Sequence, residues 1–109
     1  MGERSARLAA NEAIFRSGNE LINNVVGDSG VAPYLCECGD RDCFERVPIS
    51  HDGYEAVRAD PARFLVVPGH EDLTAGEVVV EDFSGYRVVE KQGEEAEIVQ
   101  RTDPRADGR

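Results

Sequence analysis

The stretch PYLCECGDRDCFERVPI, residues 33–49, decides how this chain is read. Two extended runs, 33–38 and 43–49, flank the polar turn Gly39, Asp40, Arg41 and Asp42, and this pattern predicts a β-hairpin. Alternate residues of a strand share a face, so Cys36 and Cys38 are expected to project together while Glu37 turns away. Pairing Cys38 with Cys43 across the turn then gathers three sulfurs around one point. The C-x-C-x4-C spacing reads as a thiolate set for a tetrahedral metal, with Zn–S bonds of about 2.3 Å. Gly39 gives the turn its backbone freedom, and the turn amides can donate to the thiolates.

A fourth ligand has to come from elsewhere, and His51 and His70 are the two imidazoles in the chain. His51 lies eight residues beyond Cys43 at an expected helix start, whereas His70 leaves a Pro68-Gly69 bend directly after an apolar run. The rigid bend can aim an imidazole from a neighbouring strand at the cysteines, so His70 is preferred and His51 is the alternative. A lone histidine is more often a surface residue titrating near neutrality, and the three converging thiols are what favour ligation. Asp40 and Asp42 could also ligate, but carboxylates beside a turn more commonly shape it. Glu37, Asp40, Arg41 and Asp42 make the surroundings too polar for cysteines used as small hydrophobes. Three clustered thiols are no disulfide framework, and iron–sulfur clusters usually take four thiolates, so the expected cofactor is zinc on Cys36, Cys38, Cys43 and His70.

Outward from the hairpin, residues 5–26 carry Leu8, Ile14, Phe15, Leu21, Ile22, Val25 and Val26 at helical spacing. The stripe is expected to pack on the chain's own sheet; if it exceeds what the sheet can cover, a homodimer through this helix follows. Ser17-Gly18 costs about 1 kcal/mol relative to alanine and allows a kink or a close approach. Asn11-Glu12 and Asn19-Glu20 read as polar positions opposite the stripe, and Gly27, Asp28, Ser29 and Gly30 end the helix. Ser50 caps a short helix with His51 and Asp52 in its first turn, Tyr54 and Val57 on its inner side, and Asp60-Pro61 at its end. Residues 64–67 predict a strand buried on both faces, 77–81 and 86–90 a second hairpin, and 94–101 a closing helix rather than an edge strand. The expectation is one α+β domain over residues 3–101: a long N-terminal helix, a zinc-bearing β-hairpin, a short helix and a small, mainly antiparallel sheet. Residues 102–109 are expected to be a frayed polar tail.

The 109 residues carry a formal charge of −10, with 40% hydrophobic and 6% aromatic content. That size excludes a multidomain enzyme, and that charge disfavours nucleic acid and anionic membranes as partners. Apolar runs such as Phe64-Leu65-Val66-Val67 and Val78-Val79-Val80 are far too short for a signal core or a span, so a cytoplasmic protein is expected. Lys91 is the single lysine, which fits a GC-rich coding background.

The segments CECGDRDCFERVPIS and YEAVRADPARFLVVPGHED, with GYRVVEK and RTDPR further on, resemble a family of small uncharacterised actinobacterial proteins. The resemblance spans most of the chain. It implies a cytoplasmic protein and favours His70, through the PGHE motif, as the fourth ligand; it implies no activity.

Three functions compete. A zinc-stabilised module, acting by regulation or by engaging a protein partner that presents a basic surface, uses a closed site to stabilise a small core. A thiol-based redox or metal sensor uses the same cysteines, activated by Arg41 and Arg46, and releases zinc on oxidation. A zinc hydrolase needs an open metal position and a general base, for which Glu37 and Glu71 are candidates, but three thiolates quench Lewis acidity. The first is preferred. The acidic run Glu90, Glu94, Glu95 and Glu97 reads as a solvated face.

Overall fold

The computed structural model describes residues 3–27, 30–40, 42–72 and 76–105, with the backbone alone at 3–6 and 8. The fold is α+β: α1 (Glu3–Val26), β1 (Val31–Leu35), β2 (Arg46–Ser50), α2 (His51–Arg58), β3 (Arg63–Val66), β4 (Glu77–Phe83), β5 (Tyr86–Lys91) and α3 (Gly93–Arg101). The strands form two antiparallel sheets, a hairpin and a small three-stranded sheet, in keeping with the expected α+β architecture. One pairs β1 with β2; the other has the order β3-β5-β4.

In the first sheet Leu35 lies opposite Arg46 and Pro33 opposite Pro48. The strands stop short of the cysteines: the ladder continues by one bond, Cys36 N–H to the Glu45 carbonyl at 3.1 Å, and the chain then leaves the sheet. The cysteine-bearing segment is thus a loop at the hairpin's end, not a strand face. The sulfurs gather by loop geometry, with Cys43 N–H donating to the Asp40 carbonyl at 3.0 Å and Gly39 at φ 83°.

In α2 the Ser50 hydroxyl caps the Gly53 amide, and Tyr54 and Val57 face inward. Phe64, Leu65 and Val66 of β3 are all buried, as a strand covered on both faces requires. Leu65 and Val88 point to a core shared with Tyr34, Val47, Ile49, Tyr54 and Val57, where the rings of Tyr34 and Tyr54 stack with centroids 4.5 Å apart. Phe64, Val66 and Val89 point to the opposite core, shared with Ala9, Val99, Cys36 and Cys38. The three-stranded sheet therefore separates two apolar layers, and the cysteine loop belongs to the second.

Helix α1 runs against the sequence expectation in one respect. Ile14, Leu21 and Val25 of its apolar stripe are exposed, while Glu12, Arg16, Asn19 and Asn23 are buried; the side chain of Leu8 lies outside the described residues. The physical reason is that the buried polar groups find partners on nearly every other element. The Asn19 amide donates to the Leu35 carbonyl at 2.9 Å and accepts from the Leu35 N–H at 2.6 Å, acting as a one-residue strand partner for β1. Arg16 donates to the carbonyls of Pro61 at 2.7 Å and Val99 at 2.6 Å, with its guanidinium over the Phe64 ring. Asn23 accepts from the Tyr34 hydroxyl at 2.7 Å. Glu12 meets the single lysine: Lys91 Nζ lies 2.8 Å from Glu12 Oε1 and 3.0 Å from Glu77 Oε2. These contacts lie off the ideal hydrogen-bond directions, so the lysine's charge rather than aligned hydrogen bonds draws the three groups together. Gly18 is where Leu35 approaches; a β-carbon there would sit 3.0 Å from Leu35 Cδ1.

The expected fraying after residue 101 is corrected at 102–105. Asp103 is buried against Arg58, and Arg105 donates to Glu20 at 2.6 Å and to Glu55 at 2.7 Å. Opposite charges across α1, α2 and the chain end hold it down; residues 106–109 lie outside the described part, as do Asp28 and Ser29 of the expected helix stop.

Candidate metal centre

Two segments deliver four donors. The loop after β1 carries Cys36, Cys38 and Cys43, and the turn after β3 carries His70, whose N–H donates to the Val67 carbonyl at 2.9 Å. Gly69, at φ 96°, takes the left-handed conformation that lets Pro68-Gly69 reverse the chain and swing the imidazole back over the sheet end. The ligand atoms of Cys36, Cys38, Cys43 and His70 all lie within 4.8 Å of one another, and this cluster could hold a metal ion.

His70 Nδ1 is 3.6 Å from Cys36 Sγ and 3.5 Å from Cys43 Sγ. A tetrahedron with Zn–S of about 2.3 Å and Zn–N of about 2.05 Å has an S···N edge of about 3.6 Å. The donors thus stand at the spacing of tetrahedral ligands along two of the edges that involve the imidazole.

Amides surround the sulfurs. Val67 N–H points at Cys36 Sγ at 3.2 Å, the Asp40 amide at Cys38 and the Glu45 amide at Cys43. Hydrogen bonds from Cys36, the Asp40 amide, His70 and Cys43 outweigh burial and bring the Cys38 thiol down to about 5. Its neighbours go the other way: the hydrogen bond to Cys38 and burial raise Cys36, and burial raises Cys43. One thiolate shared among thiols is the state that a cation converts to several, since its charge takes over the work of the shared protons.

His51 stands apart from this cluster. Its Nδ1 is 2.9 Å from Asn23 Oδ1, on the α1 side of α2. Asp42 is exposed; its N–H donates to Asp40 Oδ1 at 2.9 Å, so Asp40 shapes the turn. Arg41 lies outside the described residues, and Arg46 donates to the Pro33 carbonyl at 2.8 Å.

Glu37 does turn away from the sulfurs, into the protein rather than into solvent. It is fully buried, accepting from Asn19 at 2.8 Å and from the Leu65 N–H at 3.0 Å, while its own N–H donates to the Leu65 carbonyl at 2.8 Å. Burial pushes its carboxyl up to about 7 against the pull of Asn19, the Leu65 amide, Arg16 and Arg58. Glu37 thereby fixes the cysteine loop to both α1 and β3, a positioning role that sequence reasoning missed; a charged residue between two ligand cysteines was its only signal. Glu71 accepts from the Gly69 N–H at 3.0 Å and from Arg87 at 2.6 Å. Burial raises its carboxyl, but those amide and guanidinium contacts outweigh it and hold the group below its ordinary range. Both carboxylates weighed as general bases are thus engaged in structure.

A cavity of about 600 Å³ adjoins the cluster, lined among others by Cys38, His70, Asp40 and Glu71. No helix among the described residues is long and apolar enough to cross a membrane. Comparison of the chain with protein-family models, curated proteins and solved structures gave no match.

Proposed function

We propose that this chain is a small zinc-stabilised module of the cytoplasm that acts through regulation or protein–protein contact, without catalysis of its own. The observation that carries the reading is the pair of sulfur–nitrogen separations, 3.5 and 3.6 Å, in a cluster of three cysteines and one histidine. A Cys3His set suits zinc, whose structural sites are tetrahedral and closed. In that role Cys36, Cys38, Cys43 and His70 would hold the ion, and it would supply a cross-link between the loop after β1 and the turn after β3. Such a link suits a chain of this size, where the core alone gives a modest margin. The engagement of Glu37 and Glu71 supports the non-catalytic reading, and the formal charge of −10 suits a partner with a basic surface.

A second reading has its own support. The low-lying Cys38 thiol and the half-buried Cys43 suit a thiol sensor whose oxidation to a disulfide, with reduction of a peroxide to water, releases the metal.

The test is native mass spectrometry and elemental analysis of protein purified without added metal, with His70→Ala and His51→Ala beside it. One zinc per chain, weakened by loss of His70 and untouched by loss of His51, is the expected result. No metal, with all three thiols alkylated in the folded state, would sink the reading. Release of that zinc by stoichiometric peroxide would favour the sensor; retention would favour the static module.

A further inference from the structure

The solvent face of α1 is unusual for this chain. Its exposed positions are Arg7, Ala10, Ile14, Ser17, Leu21, Asn24 and Val25, alternating by three and four residues along one seam. Ile14 is 66% exposed, Leu21 68% and Val25 86%. Solvent faces of helices are normally rich in charge. Here a chain with 22 acidic residues places none of them on that seam among the described side chains: Glu12 is buried, and Glu20 is half-buried and paired with Arg58 and Arg105. Beside the C-terminal half of the seam lies an apolar groove of about 380 Å³, lined by Leu21, Ile22, Val25, Val26, Pro33 and Arg46.

We infer that this face is where a second copy of the chain docks, as a two-fold antiparallel pair of α1 helices. Three observations choose a second copy over another occupant. First, two molecules of charge −10 can meet closely only where neither presents carboxylates, and this face meets that condition. A basic partner would find no opposite charge on it. Second, the face is self-complementary. With the small residue Ser17 at the crossing point, Ile14 of one copy falls opposite Leu21 of the other, and Ala10 opposite Val25. Each copy's Ile14 then meets the groove beside the other's Leu21 and Val25, the isologous exchange that two-fold symmetry demands. Third, the seam supplies the apolar centre of an interface. Six side chains at two-thirds exposure or more supply roughly 300–500 Å² of apolar burial, a fifth to a third of the about 1,600 Å² of a standard interface, before helix flanks and groove walls are added. The inference does not depend on the metal.

Sedimentation velocity of the full metal-loaded chain between about 1 µM and 1 mM tests it. A monomer–dimer equilibrium is expected, tightening as salt rises, because salt screens the repulsion between two acidic molecules. Ile14→Glu and Leu21→Arg should each weaken it at least tenfold. Both positions are exposed, and unchanged circular dichroism and zinc content will show that the fold is kept. Combining the two substitutions in one chain sets each copy's new carboxylate against the other copy's new guanidinium, twice in the antiparallel pair, and should recover part of the loss. A wild-type monomer across the range overturns the proposal, as does association that weakens with salt, the signature of an attraction between opposite charges. Single variants that dissociate with no recovery in the double variant overturn the antiparallel pairing.

Discussion

Replacing Lys91 with methionine removes the one cation between two buried carboxyls. The lysine side chain is fully buried, 2.8 Å from Glu12 and 3.0 Å from Glu77. Glu77 also accepts from the Asp72 N–H at 2.9 Å through its other oxygen. Burial and the neighbouring Glu77 push the Glu12 carboxyl up to about 10, against the pull of Lys91, so at neutral pH Glu12 is a neutral acid beside the ammonium. Lys91→Met leaves the two buried carboxyl groups without their cation, and losing one partner of such a buried set costs about 3–5 kcal/mol. Glu12→Gln replaces a neutral acid by its amide isostere and should cost about 1 kcal/mol or less. Urea unfolding of the metal-loaded protein at pH 7, with the slope unchanged between variants, measures both. A pH series gives a second reading. Glu12 carries a proton in the folded state between about 4.5 and 10 that the unfolded chain has lost. The contribution of Glu12 to stability is therefore fullest below about 4.5 and falls as pH rises toward 10, by up to about 1.4 kcal/mol per unit. Glu12→Gln removes that slope and should overtake the wild type at alkaline pH. If Glu12→Gln costs as much at pH 7 as Lys91→Met, Glu12 is ionised and the reasoning fails.

Asn19→Leu keeps volume but leaves Leu35 N–H and carbonyl and the Glu37 carboxyl without their partner. A loss of roughly 2–4 kcal/mol in denaturant unfolding is expected, and a loss under 1 kcal/mol would show that water replaces the amide. Gly18→Ala should be within about 1 kcal/mol of neutral, since helix propensity gains what Leu35 Cδ1 at 3.0 Å loses, whereas Gly18→Val should destabilise by roughly 1–3 kcal/mol. Truncation after Arg101 takes Asp103 away from Arg58 and Arg105 away from Glu20 and Glu55, leaving Arg58 with Glu20 alone as its ion-pair partner. A thermal midpoint lowered by roughly 10 °C or more is expected, and an unchanged one would show that residues 102–105 contribute nothing to the fold.

The elements of the fold were legible because periodicity and turn chemistry are local. The Ser50 cap, the doubly buried run at 64–66 and the turn before Tyr86 each announce themselves within a few residues. The four clustered donors were legible because spacing and the Pro68-Gly69 bend narrow the choices. What sequence could not show was direction. The period of α1 is plain, but an apolar stripe says which residues share a face and not which face turns inward. Asn19 and Arg16 reverse the usual answer through partners 16 to 83 residues away. Lys91 illustrates the same limit: as composition it signals only codon bias, yet two carboxyls from α1 and β4 converge on it. The cysteine loop was expected as strand because its flanks are strand; the turns that close it around a point depend on Glu37 and β3, which no local pattern links.

Arg105 reaches Glu20 across 85 residues, and Arg16 reaches the Val99 carbonyl across 83. The first helix to be made thus waits for the last part described before its inward face is satisfied. At ribosomal rates of about 5–20 residues per second that interval is roughly 4–17 s, long compared with helix formation itself. For that time the contacts of Arg16 and Glu20 with residues 99 and 105 are unmade, while the outer seam of α1 stays apolar and exposed. Newborn chains are therefore the form of this protein most in need of a chaperone, and a mutation confined to the last few contacts would act first on yield in the cell and only second on the finished fold.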